Sequence, residues 1–116
     1  MRTQGLQFER AAETFLTLAG LQFIARNYRC SYGELDLVML SHHTLVFVEV
    51  RQRRPSRFYS AIESVSKKKQ QCLIKAALMF LAEHPEFQSH RCRFDVVAYR
   101  NENEQPLWLK SAFTDG

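Results

Sequence analysis

The sequence predicts an α/β domain, a mixed β-sheet flanked by helices in the order α-β-β-β-α-β-β. Two segments space their apolar residues three and four apart, as one face of a helix requires. Five short runs are rich in β-branched and aromatic residues, and the breaks between these segments are brief. A length of 116 residues suits a single domain, residues 1–116, with a modest core.

The first helix is expected from Gln4 to Ala19. Leu6, Phe8, Ala11, Ala12, Phe15, Leu16, Leu18 and Ala19 recur at helical spacing, and Gly20 is a fitting stop. Leu21 to Tyr28 reads as a strand. Gly33 to Leu40 and Thr44 to Arg51 read as two more, joined through Ser41-His42-His43 as a tight antiparallel hairpin. Gln52 to Tyr59 holds three arginines and Pro55 and reads as a loop. A second helix is expected to start between Ser60 and Ser66. Ser60-Ala61-Ile62-Glu63 matches a capping box, and Ser66 is followed by Gln70 one place late. Its inward stripe would be Leu73, Ala76, Ala77, Phe80 and Leu81, ending near His84-Pro85. Arg91 to Tyr99 and Leu107 to Phe113 complete the strands.

Composition narrows the function classes. Apolar residues make up 46% and charged residues 24%, as in ordinary globular proteins, and no apolar run is long enough to cross a bilayer. The first residues do not read as a secretory leader, so a cytoplasmic location without membrane attachment is expected. Cys30, Cys72 and Cys92 are an odd number, widely separated, which argues against a disulfide framework or a structural zinc site. They are expected reduced and at least partly buried. Between Arg51 and Lys75 stand Arg51, Arg53, Arg54, Arg57, Lys67, Lys68, Lys69 and Lys75, half of the chain's 16 Lys and Arg, with Glu63 the one acid among them. Such a stretch attracts polyanions, although a solvated loop followed by a charged helix face explains it equally well.

The hairpin carries the chemistry. With its turn centred between His42 and His43, Leu40 opposes Leu45, Val38 opposes Phe47, Asp36 opposes Glu49 and Glu34 opposes Arg51. Period-two alternation then puts Glu34, Asp36, Glu49 and Arg51 on one face, and Leu35, Leu37, Met39, Val46, Val48 and Val50 on the other. Two carboxylates directly opposite one another in an apolar sheet repel, and desolvation adds to the penalty. A divalent cation such as Mg²⁺ or Mn²⁺ offsets it. An internal salt bridge, with Arg51 and Arg53 neutralising Glu34 and Glu49, would offset it as well.

Gly33-Glu34-Leu35-Asp36-Leu37-Val38 followed by Val46-Phe47-Val48-Glu49-Val50-Arg51 resembles the YraN family of small bacterial proteins. Further matches lie at Gly5 through Glu9, Arg26-Asn27-Tyr28-Arg29, Lys69-Gln70 and Arg93-Phe94-Asp95-Val96-Val97, so the resemblance covers nearly the whole chain. That family is similar in turn to restriction-endonuclease-like nucleases, especially Holliday-junction resolvases. The resemblance implies a restriction-endonuclease-like core and metal-dependent endonuclease chemistry on DNA, branched or single-stranded. It makes Asp36 and Glu49 metal ligands for Mg or Mn, with Glu34 or Glu9 supporting and Gln70 beside the site. Arg51 stands where such nucleases carry lysine. Arginine can contact a phosphate but is a poor general base near neutral pH, so the substitution weighs against catalysis and not against phosphate binding. Arg53, Arg54, Arg57 and Lys67 to Lys69 would track the nucleic-acid backbone. A homodimer is the corresponding assembly, because a junction is two-fold symmetric.

Two other functions fit the same residues. One is a non-catalytic nucleic-acid-binding module on this fold, and the other a protein-interaction domain whose basic loop meets an acidic partner. Plainer roles also suit individual residues. Glu9 fits solvent exposure, Asp95 a structural salt bridge with Arg91 or Arg93, and His42 and His43 a solvated turn. Trp108 and Phe113 fit the core, while Phe58 and Tyr59 suit either base stacking or anchoring of their loop.

Overall fold

Helix α1 (Thr3–Leu18) leads into a three-stranded meander, β1 (Gln22–Cys30), β2 (Gly33–Ser41) and β3 (Thr44–Gln52). Helix α2 (Lys67–Glu83) then crosses over to β4 (Arg91–Tyr99), and β5 (Leu107–Phe113) follows. The computed structural model describes residues 3–52, 65–101 and 103–114. The expected Ser60–Glu63 capping box and the loop residues 53–59 lie outside the described residues. Spatial order follows chain order, β1-β2-β3-β4-β5. β3 and β4 run parallel because a helix joins them, and the other neighbours are antiparallel.

The two helices cover opposite faces. On the α1 side, Phe8, Ala12 and Leu16 pack against Leu37, Met39, Val46, Val48 and Val97. On the α2 side, Leu73, Ala76, Ala77 and Phe80 pack against Leu35, Val38, Leu45, Phe47 and Val96. Phe80 is fully buried and meets the Phe47 ring edge-on, with centroids 6.1 Å apart. Burying an aromatic or aliphatic side chain of this kind contributes about 1.5–3 kcal/mol. Among the described residues no helix is long and apolar enough to cross a membrane.

The hairpin register is the one the sequence implies from Ser41↔Thr44 to Leu37↔Val48. The turn is made by His42, at φ 56°, and His43, whose ring stacks on His90 at 4.2 Å. Helix α2 starts at Lys67, and the Ser66 hydroxyl accepts the Lys69 N–H at 3.1 Å, so Ser66 is the N-cap. Trp108 and Phe113 are half-buried at the edge of the core, edge-on to Phe15 at 6.0 Å and stacked on Phe94 at 4.9 Å.

Three expectations need correcting. Gln52 belongs to β3 rather than to the loop. Cys92 is exposed, unlike Cys30 and Cys72. The third concerns the faces of β2: Leu35 packs on the α2 side while Leu37 and Met39 pack on the α1 side. Strict alternation would put all three together, so the pleat is broken around Asp36.

Candidate active site

The β2–β3 ladder ends at Leu37↔Val48, whereas β3 stays paired with β4 through Gln52 and β2 stays paired with β1 to Gly33. The two central strands therefore part beyond Val48, and the expected backbone pairings of Asp36 with Glu49 and Glu34 with Arg51 do not form. Into the opening goes the Asp36 side chain. Its Oδ2 accepts the Val50 N–H at 2.9 Å, which replaces a missing ladder bond.

Glu49 meets Asp36 in this opening. Glu49 is 5% exposed, and its Oε2 takes Arg51 Nη1 at 3.1 Å and, more distantly, Lys69 Nζ at 3.9 Å. Its Oε1 is buried with no donor among the described residues. The Asp36 carboxyl is pushed up to about 8, chiefly by burial and next by the Glu49 charge. The Val50 N–H pulls the other way, and the Glu9 charge and a hydrogen bond with Glu49 raise it further. Burial and the neighbouring Glu49 charge thus favour the protonated form of the Asp36 carboxyl.

Glu9 of α1 is buried rather than solvated, at 8% exposure, and accepts Asn27 Nδ2 at 2.8 Å. Its charge reaches Asp36. Glu34 forms an ion pair with Arg29 at 3.5 Å on the β1 side. The Gln70 amide donates to the Val65 carbonyl at 2.9 Å, at the start of α2. Lys67, Lys68 and Lys69 are exposed in the first turn of α2, a turn without an acidic residue. Arg53, Arg54 and Arg57 lie outside the described residues.

Asp95 has the structural role expected of it. It is fully buried and accepts Arg93 Nε at 3.1 Å, Trp108 Nε1 at 2.9 Å and the Ser111 N–H at 3.0 Å.

Sequence reasoning found Asp36 and Glu49 through the hairpin register. It missed the approach of Lys69 to Glu49, which depends on how α2 docks, and the grip of Asn27 on Glu9. Among the described residues no three of the His, Cys, Asp and Glu side chains converge as a ready ligand set. The donors present still suit a hard cation. Mg²⁺ is commonly held by one or two carboxylates, with water and substrate phosphate completing its shell. Among the described residues Glu49 Oε1 is a buried acceptor without a donor, beside a second carboxyl.

Fold and site define a class, a mixed-sheet α/β domain with an under-compensated carboxylate pair where its central strands part. The profile of the Uncharacterised protein family UPF0102 matches residues 8–99. A UPF0102 protein of Pseudomonas putida is 50% identical over 111 residues, covering 90% of this chain and 90% of its own length. One of Mannheimia succiniciproducens is also 50% identical over 111 residues, covering 95% and 93%. One of Actinobacillus pleuropneumoniae is 49% identical over 110 residues, covering 93% and 89%. The chain belongs to the UPF0102 family, the YraN family of the sequence resemblance.

Proposed function

We propose that this protein is a metal-dependent, nuclease-like enzyme of the cytoplasm that acts on the DNA backbone. The observation that carries the reading is the carboxyl pair of Asp36 and Glu49, brought together at the β2–β3 opening with a buried oxygen that no described donor satisfies. A fold stabilises such a pair poorly by itself, and a divalent cation relieves the repulsion. Asp36 and Glu49 would hold Mg²⁺ or Mn²⁺. The ion would supply Lewis-acid polarisation of a phosphoryl oxygen and an activated water.

The chain's own groups do the remaining work. Arg51 lies beside Glu49, where its guanidinium can reach a scissile phosphate and stabilise the charge that develops there. Lys67 and Lys68, with Arg53, Arg54 and Arg57, would contact phosphates on either side, which gives affinity without base readout. Glu34, ion-paired at 3.5 Å with the largely exposed Arg29, would support the site. Gln70 would shape the start of α2. A dimer would present two such sites to a two-fold symmetric junction.

One observation favours the non-catalytic alternative, a nucleic-acid-binding module. Arg51 is paired with Glu49 at 3.1 Å, the neutralisation that a salt-bridged site without chemistry would use.

Calorimetry with Mn²⁺ and Mg²⁺, together with cleavage assays on single-stranded, duplex and branched DNA, separates the two. The enzyme reading expects metal binding that Asp36→Asn abolishes. It also expects cleavage that falls at least about a hundredfold in Asp36→Asn and in Glu49→Gln while DNA binding persists. DNA binding with neither metal binding nor cleavage in the wild type would establish the module instead.

A further inference from the structure

Asn27 lies in the middle of β1 with φ 53°, in the left-handed region. Residues with a side chain enter that region at an energetic cost, Asn more readily than most. Strain of this kind persists only where surrounding structure over-determines it, and it gathers at functional sites.

The consequence is visible in the side chains. Regular alternation would send Arg26 and Tyr28 to one face of the sheet and Asn27 to the other. Instead Arg26 and Asn27 both reach α1. Arg26 holds the Glu13 carboxylate through Nε at 3.1 Å and Nη2 at 2.9 Å. Asn27 Nδ2 donates to Glu9 Oε1 at 2.8 Å. Tyr28 returns to the α2 side, edge-on to Phe80 at 5.3 Å. Glu9 and Glu13 are one helical turn apart and share a face of α1, so two successive strand residues grip two successive turns. A regular strand would leave Glu9 without this donor.

We propose that Asn27 is a positioning residue of the carboxylate site: its left-handed backbone turns its amide to α1, and the amide fixes Glu9 as an outer carboxylate that holds a divalent cation at Asp36 and Glu49 through the ion's waters. This rests on the metal reading above. An outer role suits Glu9, whose Oε1 already accepts the Asn27 amide, and Mg²⁺ characteristically keeps several waters. Asn27 stands across the β1–β2 ladder from Asp36, between the pairs Arg26↔Leu37 and Tyr28↔Leu35, so the amide that holds Glu9 lies on the strand beside the carboxylate pair. Partners that orient groups around an ion change its affinity about 10- to 100-fold when removed.

The test is Mn²⁺ calorimetry on wild type, Asn27→Gly, Glu9→Gln and the double variant, with thermal midpoints recorded alongside. Glycine accepts φ 53° without strain, so Asn27→Gly removes the amide and little else. Mn²⁺ affinity is expected to fall about tenfold in each single variant, and no further in the double, because both act through one carboxylate. Asn27→Gly binding Mn²⁺ as wild type does, with only its midpoint moved, would make Asn27 a purely structural residue and overturn the proposal. So would a double variant that falls by the product of the two single effects.

A second measurement needs no variant. In a Mg²⁺ titration of the wild type followed by NMR, the Asn27 side-chain amide should shift with the same dissociation constant as the Val50 amide. An Asn27 signal that stays fixed while Val50 moves rejects the role. Absence of any Mn²⁺ binding by the wild type, or undiminished binding by Asp36→Asn, would sink the metal reading itself and this inference with it.

Discussion

Asp36 and Asp95 are aspartates of one sheet with opposite surroundings. Asp95, in mid-β4 where the β4–β5 register shifts, is fully buried and saturated, its two oxygens taking a guanidinium, an indole N–H and a backbone N–H. Asp36, at the opening between β2 and β3, receives the Val50 N–H and otherwise faces the charges of Glu49 and Glu9. The first arrangement supports the fold. The second opposes it, and on that difference the proposed metal site rests. Burial does not separate the two, since Asp95 is the more buried. Whether the compensating groups come from the chain itself does.

The largest expected effect sits at Asp95. Asp95→Asn would leave the Arg93 guanidinium, 24% exposed, without its counter-charge and put an amide N–H₂ where donors already converge. Breaking a buried pair on one side costs about 3–5 kcal/mol. Urea unfolding at pH 7 should show that loss, with any metal or DNA binding per folded molecule unchanged. A loss under about 1 kcal/mol would remove the distinction drawn between the two aspartates.

At Asp36 the sign reverses. Its folded-state value of about 8 lies above the 3.8 of an unperturbed aspartate. Between those values the folded protein keeps a proton that the unfolded chain has released. Stability in metal-free buffer should therefore fall as pH rises from about 4 to about 8, by up to ~1.4 kcal/mol per unit, and level off above. Asp36→Asn has nothing to release. Its amide can accept the Val50 N–H and donate to Glu49 Oε1, so the variant should lack the slope and exceed wild type by at least ~2 kcal/mol at pH 8. Urea unfolding at pH 5 and pH 8 checks this. An unchanged slope in Asp36→Asn would mean that the proton is held elsewhere.

These two residues also mark how far the sequence could be read. The elements were legible because their signals are local. Periodicity found α1 and α2, β4 and β5 have the expected bounds, and the two-residue turn set the hairpin register as far as Leu37↔Val48, one pair short of Asp36 and Glu49. Asp95 was legible as structural from the arginines alternating with it. The break in the pleat was not. Leu35, Leu37 and Met39 look alike along a strand, and only the parting of β2 from β3 and the left-handed turn at Asn27 send Leu35 to the other face. The same long-range geometry decides the fate of the acids. Glu9 is carried into the interior by α1 and Asn27, while Glu34 is taken by Arg29 across the β1–β2 ladder.

The smallest expected effect tests whether the start of α2 belongs with Asp36 or with Asp95. Lys67, Lys68 and Lys69 occupy its first turn without an acidic neighbour there, at the positive end of the helix dipole. Cations at that end are unfavourable by about 0.3–1 kcal/mol each, so a turn selected for stability alone would carry acids. Replacing Lys67 and Lys68 together with glutamine leaves the Ser66 cap and the Lys69–Glu49 pair in place. The double variant should be more stable by a few tenths to about 1 kcal/mol. Its DNA affinity should fall, and the dependence of log K on log salt should become shallower by about two, near one for each phosphate that a lysine no longer neutralises. Stability gained together with weaker DNA binding would put this turn with Asp36, as structure held against its own electrostatics for a polyanionic ligand. Stability gained with an unchanged salt slope would instead make the lysines a solvated helix face, and the search for the DNA-binding surface would move to Arg53, Arg54 and Arg57.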